Sequence, residues 1–137
     1  TLRTLGSEKV WVVHGADGTD EITTTGPTYV VALDNGEITE FEVSPEQAGL
    51  PLATLEDLRG GAAEENAAAL NALLQGATGA YRDVVLFNAA AALMIAEKAA
   101  DLPTGVAIAA KAIDEGLALE KLHRLVEISN RTVAASE

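Results

Sequence analysis

The first third of the chain carries apolar patterns that are typical of β-strands. Residues 10–13 form a β-branched and aromatic run that ends at His14-Gly15, as in a buried strand that opens into a loop. A second apolar run covers residues 29–33, and residues 38–43 alternate roughly in polarity. The intervening Asp34-Asn35-Gly36 predicts a tight hairpin turn, because Asn-Gly tolerates the positive φ angles that such a turn requires.

After residue 44 the spacing of apolar positions becomes helical. Ser44, Pro45 and Gln47 predict a short helical start with a capping box, and Gly49 ends it within two turns. The same reasoning predicts four longer helices over residues 62–75, 82–100, 104–115 and 117–128.

The four predicted helices differ in the width of their apolar faces. The second has hardly any polar face, which is typical of a buried helix, and we expect the last two to pack together as a helical hairpin. Strands followed by helices without alternation would indicate an α+β fold if the chain were complete. The first helix is amphipathic, with one apolar face formed by Ala69, Leu70, Leu73 and Leu74.

Composition limits which architectures and which cellular compartments we expect for this chain. A chain of 137 residues is long enough for one domain with its own core. Apolar residues make up 48% and aromatic residues 4%, so we expect a core of small aliphatic side chains and closely packed helices. The absence of cysteine excludes disulfides and thiolate zinc sites, and it suits a reducing cytoplasm.

Charge and hydropathy limit the kinds of partner that we expect this protein to bind. The formal net charge of -12 repels phosphate backbones and anionic membranes at long range. No run of about eighteen uncharged apolar residues is present, and the first residues lack the pattern of a signal peptide. We therefore expect a cytoplasmic protein with neither nucleic acid nor membrane as a partner.

The densest group of chemically active side chains lies between the first two predicted strands, in the stretch HGADGTDEITTTGPT. Asp20 and Glu21 are neighbours in it. Their carboxylates would diverge on a regular strand or helix, so they converge only on a loop or a helix start. Such a pair suits Mg²⁺, which takes oxygen ligands. An ordinary solvated loop is the alternative.

Five further features are weaker candidates. His14 is either a ligand or acid–base group or a structural hydrogen-bonding residue, and Asn88 requires partners within an apolar helix, which we expect in another helix. Residues 23–28 either donate hydroxyls to an anion or form a turn, and Gly60-Gly61 either admits a phosphate or is a plain loop. We assign no role to His123. No catalytic triad, nucleotide-binding glycine motif or metal-spaced histidine cluster is present.

Three stretches taken together resemble the carboxyl-terminal part of the anthranilate phosphoribosyltransferase family. They follow one another in order from about residue 5 to about residue 125, which is more specific than any single motif. The stretches are VVHGADGTDEITTTGPTYV, SPEQAGLPLATLEDLRGGAAEENAAALNALLQG and RDVVLFNAAAALMIAEKAADLPTGVAIAAKAIDEGLALEKL.

The resemblance implies an activity and a metal site. Enzymes of this family transfer phosphoribosyl from phosphoribosyl pyrophosphate to the amino group of anthranilate in tryptophan biosynthesis. The last two acids of their DGxDE motif bind Mg²⁺, and these acids correspond to Asp20 and Glu21 in this chain. We expect Gly15 and Gly18 to supply the turns of the loop, and Asp17 at most to support the ligands.

The resemblance also implies a fold and a set of missing parts. The expected fold is the carboxyl-terminal part of an α/β domain like those of nucleoside phosphorylases and phosphoribosyltransferases: a strand, a hairpin and a cluster of helices over residues 1–137. The glycine-rich pyrophosphate loop, the amino-terminal helical domain that mediates a homodimer and the main anthranilate-binding residues would lie upstream. We therefore expect a fragment that is inactive alone, with an exposed edge on its first strand.

Two alternatives stay open at this point. One is a related phosphoribosyltransferase or nucleoside phosphorylase with another acceptor, since the acceptor is chosen upstream. The other is an interaction module that retains part of the fold without catalysis.

Overall fold

Three antiparallel strands precede four helices in the computed structural model, which describes residues 1–131. The strands are β1 (Lys9–Gly15), β2 (Thr28–Asp34) and β3 (Glu37–Val43), and they pair in that order. Asn35 and Gly36 have positive φ angles of 47° and 88°, as the tight hairpin turn requires. The predicted strand and hairpin are confirmed, and β1 lies at an edge of the sheet as expected.

Helices form most of the chain after residue 62. They are α1 (Ala63–Leu74), α2 (Ala80–Ile95), α3 (Leu102–Asp114) and α4 (Leu117–Ser129), and two short 3₁₀ turns cover Arg3–Leu5 and Pro45–Ala48. In the second turn the Gln47 side chain accepts the Ser44 N–H at 3.1 Å, as the predicted capping box requires. Within residues 1–131, no helix combines the length and the apolar content needed to cross a membrane.

Helix α2 ends at Ile95, earlier than the predicted residue 100. Glu97 adopts a left-handed conformation with φ of 57°, and the Lys98 N–H donates to the Leu93 carbonyl at 2.8 Å. This closure is a Schellman motif. The Glu97 carboxylate also accepts a hydrogen bond from Lys9 Nζ at 2.9 Å, and this bond connects the end of the helix to β1. The prediction was wrong because the alanines that follow favour a helix by propensity alone.

The sheet has one covered face and one exposed face. On the covered face, Val30 and Ala32 of β2 pack with Phe87 of α2. Trp11 and Phe41 meet edge to face on the same side, with ring centroids 5.2 Å apart. Side chains alternate between the two faces, and the opposite face exposes Val12, Tyr29, Val31 and Ile38.

Helix α3 lies directly against α2 because Gly105 has no side chain. A Cβ atom at this position would be 2.7 Å from both Cα and Cβ of Ala90. The other buried residues of α3 are Leu102, Ala109 and Ile113. The close helix packing expected from the small-residue composition is therefore present between α2 and α3.

The outer helices are only partly covered. Helix α4 contacts α3, which confirms the predicted helical hairpin, but none of its residues is buried, and Leu117, Leu125 and Val126 on its apolar face are exposed. Helix α1 buries only Leu73, and Ala69 is exposed. An amphipathic pattern identifies a face that suits burial, but it contains no information on whether a partner lies against that face.

We expect Gly105→Ala to lower the free energy of unfolding by about 2 kcal/mol. Overpacking costs about 1–3 kcal/mol, and we expect the upper end because the clash is with the backbone of Ala90; the gain in helix propensity returns about 1 kcal/mol. Urea unfolding followed by circular dichroism measures the change. Ala107→Gly at an exposed position of α3 is the control, with an expected loss of about 1 kcal/mol. A variant Gly105→Ala as stable as the wild type would contradict the close contact.

Candidate functional site

Asp20 and Glu21 lie on the irregular loop that joins β1 to β2, and both are exposed. The loop is neither strand nor helix at these two residues, which is the condition under which neighbouring carboxylates can converge. The structure therefore places the predicted ligands where an ion from solvent can reach them.

Asp17 organises the first half of this loop. Its Oδ1 accepts the Thr19 N–H at 3.1 Å and the Thr19 hydroxyl at 2.7 Å. Its Oδ2 accepts the hydroxyls of Thr23 and Thr25, each at 2.6 Å. Burial by itself would raise the pKa of Asp17, but the hydrogen bonds from Thr23, Thr25 and Thr19 outweigh it and hold the pKa well below its ordinary value.

These bonds decide two of the sequence hypotheses. Both oxygens of Asp17 already accept two hydrogen bonds each, so Asp17 is a structural centre of the loop rather than a metal ligand. The hydroxyls of Thr23 and Thr25 donate to that carboxylate, so in this structure they are engaged within the loop rather than with a bound anion. The Thr19 N–H lies two residues after Asp17, as in an Asx turn, but the bonds from Thr23 and Thr25 span six and eight residues, and the density of threonines was their only signal in the sequence.

The two glycines of the loop have different roles. Gly18 has a φ of 92° and forms the predicted turn. Gly15 is buried, and a Cβ atom there would lie 2.5 Å from both Asp17 Oδ1 and Thr19 Oγ1. Gly15 begins the turn, since its carbonyl accepts the Gly18 N–H at 2.9 Å, and its lack of a side chain also leaves space beside the Asp17 carboxylate.

Asn88 fixes the second half of the loop to α2. Its Oδ1 accepts the Ile22 N–H at 3.0 Å, and its Nδ2 donates to the Ile22 carbonyl at 2.7 Å and to the Val84 carbonyl at 2.9 Å. The Ile22 side chain is 2% exposed and belongs to the main core. The expected contact between helices is thus wrong, because the sequence marked Asn88 as needing partners but could not identify a loop residue 66 positions away.

The donor set fits Mg²⁺ as a partial site. Two exposed carboxylates on a loop with a fixed backbone match a cation that takes one or two carboxylates together with water and phosphate oxygens. In the part of the chain that the structure describes, no three His, Cys, Asp or Glu side chains form a group able to hold a metal ion. Asp20 and Glu21 would therefore need oxygen ligands from outside that part.

The remaining candidates lie away from this loop or have other partners. His14 is exposed on β1 and faces away from the covered side of the sheet, and His123 is exposed on α4. Just before α1, Glu65 accepts the Ala62 N–H and Asn66 accepts the Gly61 N–H, so these two N–H groups are already bonded to side chains of the helix. This arrangement favours the plain-loop alternative for Gly60-Gly61.

Comparison with known proteins gives similar sequences of greater length. The family model described as "Glycosyl transferase family, a/b domain" matches residues 1–119. The anthranilate phosphoribosyltransferase of Methylocella silvestris is 59% identical over 130 residues, which are 95% of this chain and 37% of the relative. The chain thus spans little more than a third of that relative's length.

Two solved structures share the fold. Anthranilate phosphoribosyltransferase from Thermus thermophilus is 38% identical with a TM-score of 0.81, over 92% of this chain and 37% of that one. The enzyme from Saccharomyces cerevisiae in complex with PRPP and Mg is 25% identical with a TM-score of 0.81, over 87% and 34%. These likenesses confirm the predicted α/β class, so the α+β interpretation of the local pattern is wrong.

We expect Asp17→Asn to lower the free energy of unfolding by on the order of 2 kcal/mol, because hydrogen bonds to a carboxylate are stronger than those to an amide. Since folding lowers the pKa of Asp17, the carboxylate stabilises the fold above the pKa of the unfolded chain, about 3.9. The stabilisation is lost as the pH falls through the folded pKa.

Unfolding in urea at pH 7 and at pH 3 measures this effect. The difference between wild type and Asp17→Asn should be smaller at pH 3 than at pH 7. Glu40→Gln, at an exposed acid on β3, is the control and should differ little from wild type at either pH. A difference that is independent of pH would show that the Asp17 charge does not stabilise the loop.

Proposed function

The chain belongs to the glycosyl transferase family, and on this premise we propose that it is the carboxyl-terminal part of the α/β domain of an anthranilate phosphoribosyltransferase. The proposed reaction transfers phosphoribosyl from phosphoribosyl pyrophosphate to the amino group of anthranilate and releases pyrophosphate. The single observation that carries the proposal is the 59% identity to the Methylocella silvestris enzyme over 95% of this chain.

In this proposal Asp20 and Glu21 hold Mg²⁺ beside the pyrophosphate group of the substrate. The exposure of both carboxylates and the fixed backbone of their loop support this role. Two bare carboxylates would repel a pyrophosphate. When bound, Mg²⁺ supplies the positive charge that offsets the charge on the departing pyrophosphate. The protein's own contribution is to hold the two carboxylates in place and to keep Asp17 occupied with threonines.

The proposal assigns residues 1–137 to one portion of a larger domain. The exposed apolar side chains Val12, Tyr29, Val31 and Ile38 support this, because a surface of this kind is normally covered. The chain alone should then have no transferase activity, since it covers 37% of its relative. A homodimer and a cytoplasmic location stay predictions. An enzyme with another acceptor has no specific support, because each relative named above is an anthranilate phosphoribosyltransferase.

A hybrid enzyme tests the proposal. The part of the Methylocella silvestris enzyme that aligns with this chain is replaced by this chain, and consumption of anthranilate is followed by its fluorescence. We expect activity that requires Mg²⁺ and phosphoribosyl pyrophosphate. Asp20→Asn and Glu21→Gln should each lower kcat/KM by at least roughly 10–100-fold, the loss typical of a disturbed metal site.

Glu40→Gln is the matched control, because Glu40 is an exposed acid on β3 outside the loop, and its activity should equal that of the wild-type hybrid. A folded hybrid without activity would favour a non-catalytic interaction module. Full activity of a hybrid that carries both Asp20→Asn and Glu21→Gln would show that the pair does not bind the Mg²⁺ required for the reaction.

A further inference from the structure

We propose that Asn88 is a positioning residue for the Mg²⁺ ligands Asp20 and Glu21. The inference rests on the proposed function of that acidic pair. Asn88 itself is partly buried on α2, and it contacts the loop through the residue that follows the pair, Ile22. Its effect on the ligands would therefore pass through the backbone.

Asn88 uses both ends of its amide group. The oxygen accepts the Ile22 N–H, and the nitrogen donates to the carbonyls of Ile22 and Val84 at 2.7 and 2.9 Å. The bond to Val84 holds the side chain against its own helix, and the two bonds to Ile22 hold the loop against the side chain. A carboxylate cannot replace this amide, because it has no donor for the two carbonyls.

The bond to the Ile22 N–H acts directly on Glu21. That N–H and the Glu21 carbonyl belong to one planar peptide group. Fixing the N–H therefore fixes the peptide plane that contains the Glu21 Cα atom, and so restricts the position from which the Glu21 side chain starts. The buried Ile22 side chain packs in the same core as Phe87 and Ala90, so the anchoring point is itself immobilised.

The peptide group before the acidic pair is fixed in the same way from the other side. The Thr19 carbonyl, which shares a peptide plane with the Asp20 N–H, accepts the Gly15 N–H at 3.0 Å. Asp20 and Glu21 thus lie between two fixed peptide planes. One plane is held by β1 and the other by α2 through Asn88. Without Asn88, the packing of the Ile22 side chain would still attach this second plane to α2, but the hydrogen bond that orients the peptide group would be lost.

Two variants in the hybrid enzyme test the role. Asn88→Leu removes all three hydrogen bonds, and Asn88→Asp retains the acceptor for the Ile22 N–H while placing an oxygen against two carbonyls. The first measurement is hydrogen exchange of the loop peptide that contains Ile22. The second is calorimetric titration of Mg²⁺ at a fixed concentration of phosphoribosyl pyrophosphate. We expect faster exchange and a Mg²⁺ half-saturation raised roughly 10–100-fold, as for residues that orient metal ligands.

Asn71→Leu is the matched control. Asn71 on α1 donates to the carbonyl of Ala67 four residues earlier, as Asn88 does to Val84, but within residues 1–131 Asn71 has no hydrogen bond to a loop. Its Mg²⁺ half-saturation should equal that of the wild type. Gly105→Ala controls for general destabilisation of α2, and it should also leave Mg²⁺ binding unchanged. If Asn88→Leu does not fold, Asn88→Asp decides the result.

The two measurements separate the outcomes. Faster loop exchange with an unchanged Mg²⁺ half-saturation would overturn the positioning role, and so would unchanged exchange in both Asn88 variants. If Gly105→Ala lost as much Mg²⁺ affinity as the Asn88 variants, the loss would result from lower stability, and this outcome would also overturn the positioning role. A wild-type hybrid without Mg²⁺-dependent binding of phosphoribosyl pyrophosphate would overturn the proposed function, and this inference with it.

Discussion

The candidate site depends on the hydrogen bonds that hold an acidic loop in one conformation. Adjacent carboxylates repel each other and are well solvated, so nothing in Asp20 or Glu21 themselves keeps their loop ordered. The order comes from neighbours: the Asp17 carboxylate with its three threonines on one side, and the Asn88 amide with Ile22 on the other. The loop is therefore built so that its structural bonds leave the two exposed acids unused.

Helix α2 links this loop to the rest of the fold. Phe87 and Ala90 lie in the core beneath the sheet, Asn88 contacts the loop, and Ala90 also meets Gly105 of α3. Such a helix needs apolar or small residues around most of its circumference, which explains its lack of a polar face. Asn88 is a polar residue within the apolar part of that helix, and it is placed where the loop backbone requires both a donor and an acceptor.

The sequence predicted features that depend on neighbouring residues and missed those that depend on distant ones. The hairpin turn is predicted by Asn35-Gly36, and the acidic pair is recognisable because Asp20 and Glu21 are adjacent in the sequence. The partner of Asn88 could not be predicted, since it is 66 residues away. The end of α2 was missed because a glutamate, rather than a glycine, occupies the left-handed position at Glu97. The exposed face of α4 was missed because apolar spacing does not specify a partner.

Three acids within five residues have different environments, and the difference follows from which groups surround each carboxylate. Asp17 is surrounded by donors, so its charge is satisfied within the protein and its pKa is lowered. Asp20 and Glu21 are exposed, so their charges face water or an ion. A cation would compete with four hydrogen bonds at Asp17, three of them between 2.6 and 2.7 Å, but only with water at the pair. In the proposed site, the threonines would favour a metal at Asp20 and Glu21 by occupying the one carboxylate in the loop that would otherwise compete with them.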